Sequence, residues 1–278
     1  MKTPLIGTTF NINLKRKKRL GVIMTYYNRQ EQLDKTLKSI SEQNYNDVFI
    51  VIVDDCSIDK IILPNLNLNI DVIRISKEEK MWRNPEPAYN RGILHLIKNY
   101  NPEIIIIQNA ECYHVGNIIE YAINNTTINN YITFGCYGID KKNTFDSNFD
   151  IHSFIKIPEN NTKSFVNASN CWYNHPQYRP VAYEFCSSIH KNNLISLNGY
   201  DERLSFGSGY GDDFLLHRIK LLNLQIQITS TPFVVHQWHD DSVGLDKYTL
   251  AHKNRLLFNE LKGEKKIKAV HLFNDDLC

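Results

Sequence analysis

The sequence predicts an α/β fold with a mixed, mostly parallel central sheet and helices on both of its faces. The run Val48–Val53 is apolar without alternation, which is typical of a strand covered on both faces. A strand pattern at 20–25, a helical pattern at 31–43 and this run follow each other within about thirty residues, which predicts a parallel βαβ unit. The run 103–107 adds another strand of the same buried kind.

The other elements are predicted from hydrophobic periodicity and from turn residues. Further strands are expected at 71–75, 131–135, 182–189, 224–229 and 233–236, and further helices at 88–100, 115–125, 191–197, 212–222 and 248–261. Residues 139–180 are polar, aromatic and weakly periodic, so we expect only short strands or a flap there. Glycines punctuate 198–211, which predicts a loop.

The length of 278 residues, with 42% hydrophobic, is sufficient for a sizeable core. We expect an N-terminal arm at 1–19, a single domain at 20–262 and a tail at 263–278. The domain includes a C-terminal helix at about 247–262.

Composition narrows the class of protein. A net charge of +2 argues against a nucleic-acid binder, which needs a clustered basic face. Six cysteines without a CxxC pair or a zinc spacing predict reduced thiols and a cytoplasmic location. No apolar run approaches the roughly 20 residues that span a bilayer, so no transmembrane segment is expected. The basic run Lys15–Arg19 is either a solvated face or a contact to an anionic membrane, which leaves a peripheral membrane location open.

Polar side chains gather at the predicted carboxyl edge of the sheet. Asp54 and Asp55 directly follow the strand at 48–53, and Thr25–Arg29 follows the neighbouring strand. Ligands of α/β sheets bind beyond such strand ends, so this is either a binding edge or an aspartate-rich turn. No GxGxxG segment follows the first strand, which argues against dinucleotide binding.

Four motifs in this order resemble glycosyltransferase family 2, over about 20–239. They are Ile23–Arg29, Val53–Ser57, Asn84–Ile93, and Asn198–Glu202 followed by Gly209–Asp213. The last pair is similar to the acceptor half of galactosyltransferase-type enzymes. The resemblance implies the GT-A fold, with a nucleotide-sugar-binding half at about 20–126 and an acceptor half at about 127–240.

The resemblance also implies a reaction: inverting, metal-dependent transfer of a hexose from a nucleotide sugar, a UDP-sugar, to a hydroxyl of a glycan or another acceptor. Asp213 is the expected general base, because inverting transfer needs a carboxylate that takes the proton of the attacking hydroxyl. Asp212, Tyr210 and Gly211 are expected to bind the acceptor. The alternative for Asp212 is that it caps the helix that starts there.

On the donor side, the resemblance implies that Asp55 accepts the ring N–H of uracil, which gives nucleotide selectivity. The other expected donor contacts are Thr25, Tyr27, Arg29, Asp54, Trp82, Arg83, Asn90 and Asn109. Three of them have a structural alternative: Asp54 as a turn cap, Trp82 as a hydrophobic lid and Asn90 as helix surface. Arg91 is a second candidate for the diphosphate.

A metal site is expected around Asn109-Ala110-Glu111, which stands where the family has its D-x-D signature. Here the first aspartate is replaced by Asn and the last by Glu. Glu111 and His236 are the expected ligands of Mn²⁺ or Mg²⁺, and imidazole favours Mn²⁺. His239 is the substitute for His236. The alternatives are a solvated Glu111 and a structural His236.

Two other functions are compatible with the sequence. A nucleotide-sugar-binding or glycan-binding module that has lost its chemistry is suggested by the Asn109 replacement. A nucleotidyltransferase would need a glycine- and lysine-rich phosphate loop after the first strand, and Thr25–Arg29 is not one.

Overall fold

The computed structural model describes residues 19–43, 45, 47–161, 170–240 and 246–277. The expected N-terminal arm, apart from Arg19, therefore lies outside the described residues. In the part of the chain that is described, no helix combines the length and the apolar character needed to cross a bilayer.

A mixed sheet forms the centre of the described structure. Its strands are β1 (Leu20–Tyr26), β2 (Val48–Asp54), β3 (Asn69–Arg74), β4 (Ile104–Asn109), β5 (Cys112–Val115), β6 (Asn130–Gly138), β7 (Cys171–Asn174), β8 (Cys186–His190) and β9 (Gln225–His236). The order is β3-β2-β1-β4-β8-β6-β9-β5, with β7 paired to β6. The first four strands are parallel, and β8 joins β4 in antiparallel orientation. The predicted α/β fold with helices on both faces is confirmed.

The chain also forms helices, several of which cover the faces of the sheet with apolar side chains. They are α1 (Gln30–Ser41), α2 (Glu86–Tyr100), α3 (Ile118–Asn125), α4 (Lys141–Phe145), α5 (Ile151–Lys156), α6 (Pro158–Asn161), α7 (Lys191–Leu197), α8 (Gly211–Leu221) and α9 (Lys247–Gly263). One core lies between α1, α3 and the sheet, and a second lies between α2, α7, α8 and the other face. Gly92 lets α2 lie close to the sheet, since a Cβ there would stand 2.0 Å from a methyl of Ile23.

The structure differs from the prediction in several elements. The helix expected at 115–125 begins at Ile118, and β5 lies directly before it. The two strands expected at 224–229 and 233–236 are one strand, β9, with a register shift opposite β6. Only the end of the strand expected at 182–189 joins the sheet, as β8. The loop expected at 198–211 contains a 3₁₀ helix, Glu202–Phe206.

The weakly periodic stretch 139–180 contains α4, α5, α6 and β7 among its described residues. The expected tail folds back onto the domain. The side chains of Ala269 and Leu277 are buried, and the N–H of Ala269 donates to the carbonyl of Leu197 at 2.8 Å. Glu202, which is fully buried, accepts a hydrogen bond from the backbone N–H of Phe273 at 2.7 Å.

Candidate active site

A cavity of about 510 Å³ opens at the carboxyl ends of the parallel strands. The pairing register of the parallel strands brings the polar residues at their ends together. Thr25 of β1 lies opposite Asn109 of β4, and Tyr26 lies opposite Asp54 of β2. Of the residues expected at the site, those that line this cavity are Thr25, Tyr27, Arg29, Asp55, Trp82, Arg83, Asn109, Glu111, Asp212 and His236.

Asp55 lies at one end of the cavity with both carboxylate oxygens engaged. Oδ1 accepts a hydrogen bond from the indole N–H of Trp82 at 2.9 Å, and Oδ2 forms an ion pair with the ammonium of Lys80. Lys80 also lies 5.1 Å from the centre of the Trp82 ring. Burial lowers the pKa of Lys80, against the opposing effect of Asp55. This end of the cavity therefore presents a fixed acceptor beside a fixed donor.

Asp54 lies behind this end and does not belong to the described lining. Its Oδ1 accepts from the backbone N–H of Ser57 at 2.9 Å, and its Oδ2 pairs with Arg74 at 2.8 Å. The structure thus places Asp54 in the role of the turn cap. Arg91, the second candidate for the diphosphate, pairs with Glu79 at 3.0 Å.

Asn90 is fully buried in α2 and also stands outside the described lining. Its amide donates to the carbonyl of Tyr200 at 2.8 Å and to Glu202 at 2.9 Å, and its Oδ1 accepts from the N–H of Tyr200 at 2.8 Å. The alternative of a position on the helix surface is wrong, and the expected donor contact stays a prediction. Asn90 is a buried bridge between α2 and the 3₁₀ helix, with its hydrogen-bonding capacity used inside the protein.

Glu111, His236 and His239 converge in the lining of the cavity. Strand β5 runs antiparallel to β9 with Cys112 opposite His236, which brings Glu111 beside the histidine. Nε2 of His236 lies 3.3 Å from Oε1 of Glu111, and Nε2 of His239 lies 3.4 Å from the same oxygen. The ligand atoms of all three residues lie within 4.8 Å of one another.

The donor set fits a divalent cation. Nδ1 of His239 lies 2.9 Å from the carbonyl oxygen of Asp240, which can only accept, so Nδ1 carries the proton. In the neutral ring the lone pair of Nε2 then points to Glu111, and two acceptors face each other across a gap that a cation would bridge. One carboxylate with two imidazoles is a set that transition metals accept.

Arg29 completes this group. Its Nη1 lies 2.7 Å from Oε2 of Glu111, an oxygen that is buried and receives no well-aligned hydrogen bond from the described residues. Burial works to raise the pKa of Glu111, but opposing effects, of which the positive charge of Arg29 is the largest, hold that pKa well below its usual range. Glu111 therefore carries a negative charge, which is the form that can bind a cation.

Two carboxyl groups that line the cavity, on Glu184 and Asp212, stand together. They hydrogen-bond to each other, and Glu184 also accepts from the hydroxyl of Tyr200 at 3.0 Å. Burial, and then the charge of Asp212, raise the pKa of Glu184 well above its usual range, and burial raises that of Asp212. The pair therefore shares a proton, which lets one member donate and the other accept.

Asp213, the expected base, follows in the first turn of α8 and is partly exposed. Its Oδ1 accepts a hydrogen bond from the hydroxyl of Tyr183 at 2.8 Å. Burial, and then Asp213, raise the pKa of Tyr183, so this phenol stays protonated and keeps donating. Asp213 does not belong to the described lining of the cavity, in contrast to its neighbour Asp212.

The remaining expected acceptor residues surround the start of α8. Tyr210 has a left-handed backbone, with φ of 67°, and its ring lies 5.6 Å from that of Phe258. Gly211 packs on Glu86, since a Cβ at position 211 would lie 2.3 Å from Oε1 of that carboxyl. Neither residue lines the described cavity, and the expected role of both in acceptor binding stays a prediction.

Lys80, Tyr89 and Glu184 are among the lining residues that were not expected at the site. Tyr89 stacks on Tyr200 with ring centres 5.0 Å apart, and its hydroxyl donates to Oδ1 of Asn109 at 3.2 Å. Tyr89 lies inside the motif Asn84–Ile93, so the sequence held a signal for this residue. Lys80 and Glu184 carry no periodic or motif signal.

Together, a GT-A-like sheet and a carboxylate-lined cleft with a Glu–His–His cluster define the class of glycosyltransferases. The family model described as glycosyl transferase family 2 matches residues 21–188, more than half of the chain, and the chain belongs to this family. The expected family and enzyme class are thereby confirmed. The match ends before α8 and β9, so Asp212, Asp213 and His236 lie beyond it.

Solved structures share the fold. Staphylococcus aureus TarS, residues 1–349, aligns with a TM-score of 0.57 at 13% identity, over 89% of this chain and 65% of that one. The mannosyltransferase PcManGT from Pyrobaculum calidifontis, in complex with GDP-Man and Mn²⁺, aligns with a TM-score of 0.52 at 14% identity, over 92% and 67%. TarS 1–349 in complex with UDP-GlcNAc gives a TM-score of 0.52 at 14% identity, over 86% and 66%.

One curated relative has a local sequence match. It is the GalNAc(5)-diNAcBac-PP-undecaprenol beta-1,3-glucosyltransferase of Campylobacter jejuni, 34% identical over 77 residues. The aligned segment covers 27% of this chain and 25% of the relative, so the chain spans about a quarter of that protein.

Proposed function

We propose that this protein transfers a hexosyl group from a UDP-sugar to an acceptor hydroxyl, with inversion and with the aid of a divalent cation. The observation that carries the proposal is that one cavity joins Asp55, the Glu111 cluster and the Glu184–Asp212 pair. A nucleobase, a diphosphate and a sugar need these three kinds of contact. Neighbours solved with UDP-GlcNAc and with GDP-Man support a nucleotide-sugar donor.

Asp55 and Lys80 support a base with an N–H group next to a carbonyl group. The carboxylate accepts from the N–H, and the ammonium donates to the carbonyl oxygen. Uracil offers this pair at N3 and at O4 or O2, whereas cytosine offers an acceptor at N3 that a carboxylate repels. Trp82 fixes the orientation of Asp55. Guanine offers the same pair at N1 and O6, and UDP is proposed over GDP because the family resemblance assigns the ring N–H of uracil to this aspartate.

Glu111, His236 and His239 are the proposed cation ligands, with Mn²⁺ preferred because of the two imidazoles. The cation, when bound, would neutralise the negative charge of the departing diphosphate. Asn109 lines the cavity as a neutral oxygen donor, and Arg29 and Arg83 supply positive charge there. The Mn²⁺ in the related mannosyltransferase structure supports this choice.

Asp213 is the proposed general base. An inverting base must stand on the side of the anomeric carbon that is opposite the diphosphate, so a place outside the donor cavity suits it. The acceptor oxygen forms a bond to the anomeric carbon, the bond from this carbon to the diphosphate breaks, and the acceptor proton moves to Asp213. Asp212 and Glu184 line the donor cavity and would bind hydroxyls of the transferred sugar.

The acceptor is proposed as a hydroxyl of a glycan, in keeping with the undecaprenol-linked glycan in the name of the Campylobacter relative. The expected cytoplasmic location, peripheral at a membrane, stays a prediction.

The test is release of free nucleotide from UDP-, GDP-, CDP- and ADP-sugars with Mn²⁺, with Mg²⁺ and with EDTA. We expect release from a UDP-sugar that depends on the cation. Cation-independent release, or preference for a CDP-sugar, would contradict the proposal.

The Asn109 replacement favours one second candidate, a module that binds nucleotide sugars without transfer. That candidate predicts UDP-sugar binding by calorimetry with no release of UDP over hours.

A further inference from the structure

Arg29 occupies the one carboxylate of the proposed cation site. Its Nη1 lies 2.7 Å from Oε2 of Glu111, and the two other proposed ligands, His236 and His239, carry no formal negative charge when neutral. Asn109, which stands where the family signature has an aspartate, adds none either. The guanidinium of Arg29 therefore balances the charge of Glu111 within the proposed cation site.

Arg29 is also placed to reach a phosphate. It directly precedes α1, a helix of 12 residues, and it lines the cavity with a side chain that is 17% exposed. The first N–H groups of a helix favour anions, and a guanidinium binds phosphate oxygens through paired donors. A diphosphate near the Glu111 cluster would thus offer Arg29 a second anion to pair with.

Two cations cannot share Glu111 at low cost. Arg29 holds Oε2 of Glu111 and the two imidazoles face Oε1, so a divalent cation bound among them would stand on the same carboxylate as the guanidinium. The two positive charges then repel each other across one mostly buried carboxylate, which is unfavourable in the free protein. A diphosphate removes this cost, because it supplies negative charge to Arg29 and to the cation at the same time.

We propose that Arg29 couples the cation to the diphosphate: it holds Glu111 in the free protein and passes to the diphosphate when the cation takes its place. The inference rests on the proposed function, and adds to it that cation and nucleotide bind cooperatively through this residue. Because linkage is reciprocal, UDP tightens cation binding by the same factor by which the cation tightens UDP binding. A typical coupling corresponds to about 5- to 150-fold.

The test measures Mn²⁺ binding to the full chain by electron paramagnetic resonance of free Mn²⁺, with and without UDP, and UDP binding by calorimetry in EDTA. The variant is Arg29→Gln, and the matched control is Arg83→Gln, which removes a second cationic side chain from the same cavity without contact to Glu111. Circular dichroism melting verifies that both variants fold.

For Arg29→Gln we expect two effects of opposite sign. Mn²⁺ binds the free variant about tenfold more tightly, since Glu111 is released, while UDP binds about tenfold more weakly in EDTA. The factor by which UDP tightens Mn²⁺ binding falls accordingly. Arg83→Gln weakens UDP binding and leaves Mn²⁺ binding of the free protein unchanged.

Unchanged or weaker Mn²⁺ binding by free Arg29→Gln would overturn the inference, as would wild-type protein in which Mn²⁺ and UDP bind independently. In both cases the proposed function survives if transfer occurs. Cooperative binding without any sugar transfer would instead overturn the proposed function and leave the coupling in place. A wild-type protein that binds no Mn²⁺ even with UDP would overturn the inference together with the cation part of the proposed function.

Discussion

The indole N–H of Trp82 donates a hydrogen bond to Oδ1 of Asp55 at 2.9 Å, and Trp82 itself is only 4% exposed. Both residues were expected at the donor site, Trp82 as a stacking partner or as a lid. The structure adds that the tryptophan orients the carboxylate. The ring of Trp82 is largely covered by the protein. Stacking of this ring on a base would contribute to nucleotide binding separately from the hydrogen bond to Asp55.

This relationship predicts a graded series for UDP affinity. Asp55→Asn is expected to weaken UDP binding by about 10- to 100-fold, since a charge-assisted hydrogen bond is worth about 1.5–3 kcal/mol. Trp82→Phe keeps the ring and loses only the N–H, so we expect a smaller loss of about fivefold. Calorimetry with UDP measures both. Equal losses would show that Trp82 acts through more than its bond to Asp55.

Asp213→Asn is expected to lower the transfer rate by about 10²- to 10⁴-fold, because the base is removed, while UDP affinity stays unchanged. Asp212→Asn is the matched control at the adjacent position. It perturbs the shared proton with Glu184, so we expect weaker binding of the donor sugar with a smaller loss of rate. The kinetics of UDP release with a true acceptor separate the two. If Asp212→Asn alone abolished the rate, the roles of the two aspartates would be reversed.

Removal of the cation is expected to weaken UDP binding. His236→Ala and His239→Ala should each reduce Mn²⁺ affinity about 10- to 100-fold, since each removes one of three protein ligands. Calorimetry with UDP in Mn²⁺ and in EDTA measures the effect. Identical UDP affinity under the two conditions would rule out this cation site.

The buried carboxyl of Glu86 gives a pH-dependent prediction for stability. Burial raises its pKa to about 8, and its Oε2 has no hydrogen-bond partner among the described residues. The unfolded value is about 4.3, so the folded state binds this proton more tightly. Stability linked to Glu86 is therefore complete below about pH 4 and is lost as pH rises through about 8.

Glu86→Gln removes this dependence. Between about pH 5 and 8 we expect the free energy of unfolding of the variant to rise relative to that of the wild type, which opens a gap in stability. This gap reaches a few kcal/mol, at about 1.4 kcal/mol for each pKa unit. Urea unfolding at a series of pH values measures the gap. A gap that stays constant with pH would contradict the raised pKa.

The parallel half of the fold and the nucleobase end of the cleft could be predicted because both follow from local pattern. The run 48–53 marks a buried strand by composition, and Asp55 follows it directly. Parallel pairing in register then brings Thr25 and Asn109 to the same edge. None of these steps needs information on distant contacts.

Other features depend on contacts that no local pattern contains. Strand β5 is only four residues long and exists because it pairs with β9, more than a hundred residues away. The same pairing creates the Glu111–His236 contact. Glu184 lies in the segment before β8, which does not pair in the sheet, and there it faces Asp212. The apolar pattern instead predicted a strand that starts at 182. The buried bridge made by Asn90 was not expected, because the 3₁₀ helix that it contacts was predicted as a loop.

The central claim is that one cleft binds a uridine diphosphate between Asp55 and the Glu111 cluster. A crystal structure with UDP and Mn²⁺ measures it most directly. The account predicts N3 of uracil within hydrogen-bonding distance of the Asp55 carboxylate, and Mn²⁺ bound by Glu111, His236 and His239 together with diphosphate oxygens. UDP bound outside this cleft, or Mn²⁺ bound without Glu111, would contradict it.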